Sequence, residues 1–147
     1  MQFKTVTPED MKNVGKKIGA LLKGGDIVLL YGELGSGKST LVKGIAEVLG
    51  VKETTGSPTF TLMNVYDTNK DNIKKLVHVD TYRLKDQQDL DDVGIDEYMY
   101  DENCICIFEW PDKLKYIKKD KKPIKISIEY LDKDRRKIIA EGLSSSS

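Results

Sequence analysis

Gly32-Glu33-Leu34-Gly35-Ser36-Gly37-Lys38-Ser39-Thr40 decides how the rest of this chain is read. The apolar run Ile27-Val28-Leu29-Leu30-Tyr31 precedes it, and Leu41-Val42-Lys43-Gly44-Ile45-Ala46-Glu47-Val48-Leu49 follows at helical spacing. A glycine-rich turn ending in Lys-Ser between a buried strand and a helix is the setting in which this spacing signifies a phosphate-binding loop. Glycines let the backbone curl so that successive N–H groups face one anion, and the new helix directs its positive dipole end to the same point. Lys38 supplies a point charge for the outer phosphates, and Ser39 offers a hydroxyl to Mg²⁺. Lys38 is expected at the surface, outside the core.

Working outward, the 147 residues are 39% hydrophobic and 33% charged, as in one compact domain able to bury a core. The expected division is a single domain over residues 1–141 followed by a flexible Ser-rich tail over 142–147. No apolar stretch approaches the ~20 residues that cross a bilayer, and Met1 to Thr5 lacks a signal-peptide core. A cytoplasmic protein is expected, with no membrane partner. Cys104 and Cys106 are alternate residues of one apolar run, about 6.7 Å apart as strand neighbours with parallel side chains. They read as reduced core residues, and two cysteines without further ligands form no zinc site.

Formal charges cancel over the whole chain but not along it. Residues 111–147 hold 11 basic and 6 acidic side chains (+5), leaving 13 and 18 (−5) for residues 1–110. An excess of that size does not by itself indicate nucleic-acid binding, and Lys113 to Lys125 reads as a solvated face.

Upstream of the loop, Thr7-Pro8-Glu9-Asp10 is a helix start, with Thr7 as N-cap, Pro8 at the first helical position and acids in the first turn. The helix is expected to reach Lys23, with Val14, Ile18, Leu21 and Leu22 on its apolar face and Gly24-Gly25 as a left-handed stop. A strand over 26–31 and a helix over 38–49 enclose the loop. Downstream, Phe60, Leu62, Asn64 and Tyr66 alternate on one strand face, and Leu76-Val77-His78-Val79-Asp80 is the next apolar run. The link from Asp67 to Asn72 is turn-rich and too short for a crossover helix, so these strands pair antiparallel. Residues 86–102 carry eight acids and no base, yet keep Leu90, Val93 and Tyr98, which suggests an acidic, partly helical surface segment. Cys104-Ile105-Cys106-Ile107-Phe108-Glu109 is a strand buried on both faces. Residues 124–130 and 135–140 form a closing hairpin about Asp132-Lys133-Asp134. The fold class is therefore α/β, with a mixed parallel and antiparallel central sheet flanked by helices.

A metal at the loop needs an acid at the end of a neighbouring strand, because Mg²⁺ takes one or two carboxylates and keeps several waters. Glu109 and Asp80 both qualify. Either acid can hold Mg²⁺ through water or orient an attacking water, since phosphoryl transfer asks the protein mainly for positioning and charge stabilisation. His78, two residues before Asp80 on the same face, reads as structural. Arg83 reads as the partner of nearby acids. Asn69-Lys70-Asp71-Asn72 and Asp91-Asp92-Val93-Gly94 resemble guanine-nucleotide elements only formally, so adenine is favoured.

Taken together, the loop, Ser57-Pro58-Thr59-Phe60, His78-Val79-Asp80-Thr81-Tyr82-Arg83-Leu84 and Glu109-Trp110-Pro111 resemble the bacterial TsaE (YjeE) ATPases, in the same order and at similar separations. The match spans about residues 7 to 112. The resemblance implies a three-layer P-loop NTPase-type fold and a slow, Mg²⁺-dependent ATPase required for threonylcarbamoyl modification of adenosine 37 in tRNAs that read codons beginning with A. It also implies the partners TsaD and TsaB, whose turnover the hydrolysis of ATP supports, with any contact to tRNA indirect. By motif match, Ser39 and Glu109 are the Mg²⁺ ligands, and Leu34, Gly35, Ser36, Gly37, Lys38, Ser39 and Thr40 contact phosphate. Asp80 is essential for hydrolysis, Thr59 belongs to a mobile nucleotide-sensing loop, and Thr7 and Glu9 approach adenine. Glu33, Ser36 and Ser39 replace the family's common Asp, Ala and Thr; Ser is an equivalent metal hydroxyl. Two other readings are a small-molecule kinase, whose usual arginine-rich lid is poorly matched by Arg83, Arg135 and Arg136 alone, and a nucleotide-gated binding module with negligible catalysis.

Overall fold

The structure, a computed structural model, describes residues 1–33, 35–52, 63–70, 72–80, 94–99, 101–109 and 122–143. The expectations for Leu34, Ser57 to Leu62, Arg83, Leu90, Val93, Trp110 and most of Lys113 to Lys125 lie outside the described residues, as do the four terminal serines. In chain order the elements are β1 (Gln2–Thr5), α1 (Pro8–Leu21), β2 (Ile27–Gly32), α2 (Lys38–Val48), β3 (Met63–Lys70), β4 (Ile73–Asp80), α3 (Asp96–Met99), β5 (Cys104–Glu109), β6 (Ile124–Tyr130) and β7 (Arg136–Glu141).

The strands form one seven-stranded sheet in the order β1-β7-β6-β2-β5-β4-β3. Its centre is parallel: β2 lies between β5 and β6, and β4 runs alongside β5. Its edges are antiparallel, with β3 on β4, and β7 between β6 and β1. The mixed sheet inferred from loop lengths is thus present. All six residues of β5 are buried, as expected of a central parallel strand covered on both faces.

Alternation along the strands sends side chains into two clusters. Val28, Leu30, Leu76, Ile105 and Ile107 pack against Val14 and Ile18 of α1 and Leu41 and Ile45 of α2. Ile27, Leu29, Val77, Val79 and Phe108 face the other way, where Ile95 and Met99 cover them. Fully burying an aliphatic side chain of this size contributes about 1.5–3 kcal/mol, so Ile18, Leu41 and Ile45, all at 0% exposure, hold both helices to the sheet. The helices also approach each other very closely. A Cβ on Gly44 would lie 2.1 Å from the Lys12 carbonyl, and one on Gly15 would lie 2.2 Å from that of Leu41. Cys104 and Cys106 are free and buried, and burial pushes the Cys104 thiol above its ordinary pKa.

Thr7 caps α1 as expected: its side chain accepts from the Asp10 N–H, and the Asp10 carboxylate accepts from the Thr7 N–H. The helix ends at Leu21, two residues early. Leu22 is already extended, at φ −74° and ψ 147°, so the stop needs no left-handed residue. Gly25, at φ +92°, instead turns the chain into β2, and Gly24 passes so close to Glu102 that a Cβ would meet its carbonyl at 2.0 Å. The link between β3 and β4 is also shorter than its polar sequence suggested. Thr68 donates to the Ile73 carbonyl at 2.7 Å and the Asn69 N–H donates to Leu49 O at 2.9 Å, which holds these residues in the strand. The expected pairing is antiparallel as read, with Asn64 opposite His78. Among its described residues the acidic stretch contributes the one-turn helix α3, and Tyr98 packs against the second cluster. The hairpin turn is present, with Asp132 accepting from the N–H groups of Asp134 and Arg135. One strand had no counterpart in the sequence reading: β1, which pairs Gln2 with Ile139 and Thr5 with Arg136. Leu143 is half-buried against the first cluster. Among the described residues, no helix is long and apolar enough to cross a membrane.

Candidate nucleotide site

Three parallel strands carry the candidate residues to one end of the sheet. Leu30 of β2 and Asp80 of β4 both stand opposite Glu109, so the carboxyl ends of β2, β5 and β4 lie side by side. Ligands of open α/β sheets bind in the crevice beyond such ends. Here a cleft of about 370 Å³ is lined by Gly35, Gly37, Lys38, Ser39, Thr40, Asp80 and Glu109. The sequence-based candidates Lys38, Ser39, Asp80 and Glu109 therefore share one cavity, although up to 71 residues separate Lys38 from Glu109.

The loop's shape depends on its glycines. Gly35 has φ +79° and Gly37 φ +108°, backbone conformations that side-chain-bearing residues rarely adopt. Gly37 is the N-cap of α2, and among the described residues no side chain caps that end. The first N–H groups of α2 are thus open to an anion. The Ser36 hydroxyl is 2% exposed and has no hydrogen-bond partner among the described residues. It accompanies the loop backbone into the same turn.

Lys38 departs from the surface position expected of it, being only 7% exposed. Its ammonium group donates to the Gly32 carbonyl and, at 3.2 Å, to that of Glu33. Burial pushes its pKa below the ordinary value for lysine, and the charges of Glu109 and Asp80 pull the other way. The chain folds back on itself at the loop, so the lysine that begins α2 reaches carbonyls of the strand end before it.

Glu109 is also buried, at 8%, and its Oε2 lies 2.8 Å from His78 Nε2. The sequence placed His78 and Asp80 on one face of β4; it gave no sign that His78 reaches β5. Their registers supply the signal in retrospect, since His78 stands opposite Ile107 and Glu109 is two residues further along the same face.

A second cavity, about 190 Å³, adjoins the loop. Thr5, Val6, Thr7, Pro8 and Met11 line one side; Gly35, Ser36, Gly37 and Thr40 form its floor; Asp134 and Arg136 close it from the hairpin. Thr7 thus stands beside the loop, while Glu9 lines neither cavity and is exposed in the first turn of α1. Met11, Asp134 and Arg136 escaped the sequence reading, which saw only a helix face and a turn. Leu34 and Thr59 lie outside the described residues.

The donor set at the larger cleft suits a hard cation. It consists of oxygens, from the Ser39 hydroxyl and the Asp80 and Glu109 carboxylates, with no soft ligand. Among the described residues no cluster of three or more His, Cys, Asp or Glu could enclose a metal unaided. That combination fits Mg²⁺, which keeps waters and shares its sphere with substrate phosphates.

Comparison with known proteins agrees with this arrangement. The chain is 40% identical over 110 residues to the tRNA threonylcarbamoyladenosine biosynthesis protein TsaE of Bacillus subtilis, covering 75% of this chain and 66%, just under two thirds, of that relative. It is 37% identical over 132 residues to the protein of the same name from Aquifex aeolicus, covering 88% and 87% of the two chains. The crystal structure of Bacillus subtilis YdiB superposes with a TM-score of 0.72 at 31% identity, covering 94% of this chain and 82% of that one. The family model for threonylcarbamoyl adenosine biosynthesis protein TsaE matches residues 5–138, from the end of β1 to the middle of β7, and this chain belongs to that family.

Proposed function

We propose that this protein binds ATP with Mg²⁺ in the 370 Å³ cleft, hydrolyses it slowly, and thereby serves threonylcarbamoyl modification of adenosine 37 in tRNAs reading codons that begin with A. It acts with the TsaD and TsaB proteins in the cytoplasm, and any contact with tRNA is indirect. The observation that carries this reading is the convergence of Lys38, Ser39, Asp80 and Glu109 at the uncapped start of α2. The names of its relatives support a role in tRNA threonylcarbamoyladenosine biosynthesis.

In this reading the N–H groups of the loop from Leu34 to Thr40 cradle the phosphates, and Lys38 keeps one of the Gly32 and Glu33 carbonyls while it turns from the other toward phosphate oxygens. Ser39 and Glu109 would hold Mg²⁺, which supplies neutralisation of the charge on the outer phosphates. Asp80 orients the attacking water, and Thr59 senses the nucleotide. The smaller cavity receives the base and ribose, with Thr7 at its wall and Glu9 nearby.

ATP turnover measured alone and with TsaB and TsaD tests this proposal. Slow release of inorganic phosphate that accelerates with both partners is expected; unchanged turnover contradicts it. Label from the γ-phosphate appearing on an acceptor indicates a small-molecule kinase instead. ATP-dependent partner binding that survives Asp80→Ala with no turnover in any mixture indicates a binding module.

A further inference from the structure

Glu109 does not reach the cleft unsupported. Its Oε2 is 2.8 Å from His78 Nε2, and both residues are nearly buried, at 8% and 7% exposure. A carboxylate only accepts hydrogen bonds, so the ring nitrogen facing it donates. The donor comes from β4, the acceptor from β5, and the ladder between these strands fixes their relative height, with His78 opposite Ile107 and Asp80 opposite Glu109. The imidazole therefore holds one carboxylate oxygen from behind while the group lines the cleft beside Ser39 and Lys38. A glutamate side chain has three rotatable bonds, and this contact selects among its rotamers before any ligand arrives.

We propose that His78 is a positioning residue: its Nε2–H fixes the Glu109 carboxylate in the orientation that captures the Mg²⁺ of the bound nucleotide. The inference rests on the assignment of Glu109 as a metal ligand. Partners that orient ligating carboxylates typically affect metal affinity about 10–100-fold when removed. Nothing in this role needs the imidazole to exchange a proton with substrate, so His78 affects how tightly the metal is held and leaves the metal-free nucleotide contacts alone.

The experiment titrates Mn²⁺ by electron paramagnetic resonance in the presence of saturating ADP, and in parallel measures ADP affinity in EDTA. It compares the wild-type protein with His78→Leu, His78→Gln and Glu109→Gln. His78→Leu keeps an apolar body of similar reach without the donor; His78→Gln places an amide N–H near the position of Nε2. The expected result is about 10–100-fold weaker Mn²⁺ binding for His78→Leu, substantial recovery for His78→Gln, and wild-type ADP affinity in EDTA for both. Should His78→Leu fail to fold, Mn²⁺ affinity of His78→Gln close to wild type still supports the proposal, and a loss as deep as that of Glu109→Gln overturns it. Wild-type Mn²⁺ affinity in His78→Leu also overturns it, provided that Glu109→Gln binds Mn²⁺ poorly. If Glu109→Gln binds Mn²⁺ as well as the wild type, the assignment of Glu109 as ligand fails first, and the role of His78 falls with it.

Discussion

Replacing Lys38 with methionine isolates the contribution of its charge. The side chain is 7% exposed and donates to the Gly32 and Glu33 carbonyls. Methionine fills a similar volume without the ammonium group. A unit charge about 4 Å from a phosphate oxygen contributes about 4 kcal/mol at the effective dielectric of ~20 found near protein surfaces. Nζ carries three N–H groups, so it can keep one carbonyl while turning to phosphate. Giving up the other costs about 1.5 kcal/mol, the low end for a charged donor. About 2.5 kcal/mol remains, and at 1.4 kcal/mol per tenfold this is a loss of about 60-fold in affinity. The fold should survive, because the group removed is one that burial already disfavours in its charged form. The melting temperature is expected to stay within about 4 °C of wild type, about 1 kcal/mol for a chain of this size. Titration calorimetry with ATP and Mg²⁺ measures the affinity, and circular dichroism the melting. A dissociation constant within threefold of wild type, in a protein that melts normally, would refute the placement of phosphate against Lys38.

Further outcomes concern the rest of the site and its scaffold. Ser39→Ala should leave ADP affinity in EDTA unchanged and reduce the enhancement given by Mg²⁺; equal enhancement in both proteins would remove Ser39 from the metal's ligands. Gly44→Ala places a Cβ 2.1 Å from the Lys12 carbonyl, a backbone atom that cannot swing aside; overpacking of this kind costs about 1–3 kcal/mol, so its thermal unfolding should begin several degrees lower, and an unchanged melting curve would deny the close contact of α1 and α2. Asp10 accepts from the N–H groups of Val6 and Thr7, which holds its carboxyl below the usual 3.8. Its ionised form is the one that the fold favours, so its contribution is complete above 3.8 and disappears as pH falls through the lower folded value. The stability gap between wild type and Asp10→Asn should therefore hold from pH 7 down to about 3.8 and narrow progressively below it, and a gap that stays constant as pH is lowered further would contradict the capping box.

What the sequence disclosed was mostly local chemistry. The loop, the Thr7 cap, the apolar β5 and the Asp132 turn each depend on residues within a few positions of one another, and their spacing states the geometry directly. Asp80 and Glu109 were legible as strand-end acids for the same reason. Long-range pairings were not. β1 is four residues whose partner, β7, lies more than 130 positions later, and nothing in Gln2-Phe3-Lys4-Thr5 indicates a sheet edge. The bond from His78 to Glu109 depends on the register of two strands that no local pattern specifies. Lys38 was expected outside the core because the loop lies at the surface; its return onto the Gly32 carbonyl buries it. The polar residues Asp67 to Lys70 looked like a turn and are strand, because Leu49 O and Ile73 O give their backbone and side chains partners.

A crystal grown with Mn²⁺ and a non-hydrolysable ATP analogue tests the central assignment most directly, through the anomalous scattering of the metal. The account predicts one strong peak bridging Ser39 Oγ and the Glu109 carboxylate, with the β- and γ-phosphates over the first turn of α2 and Lys38 turned toward them. A nucleotide bound elsewhere, or a metal peak distant from both Ser39 and Glu109, would contradict it.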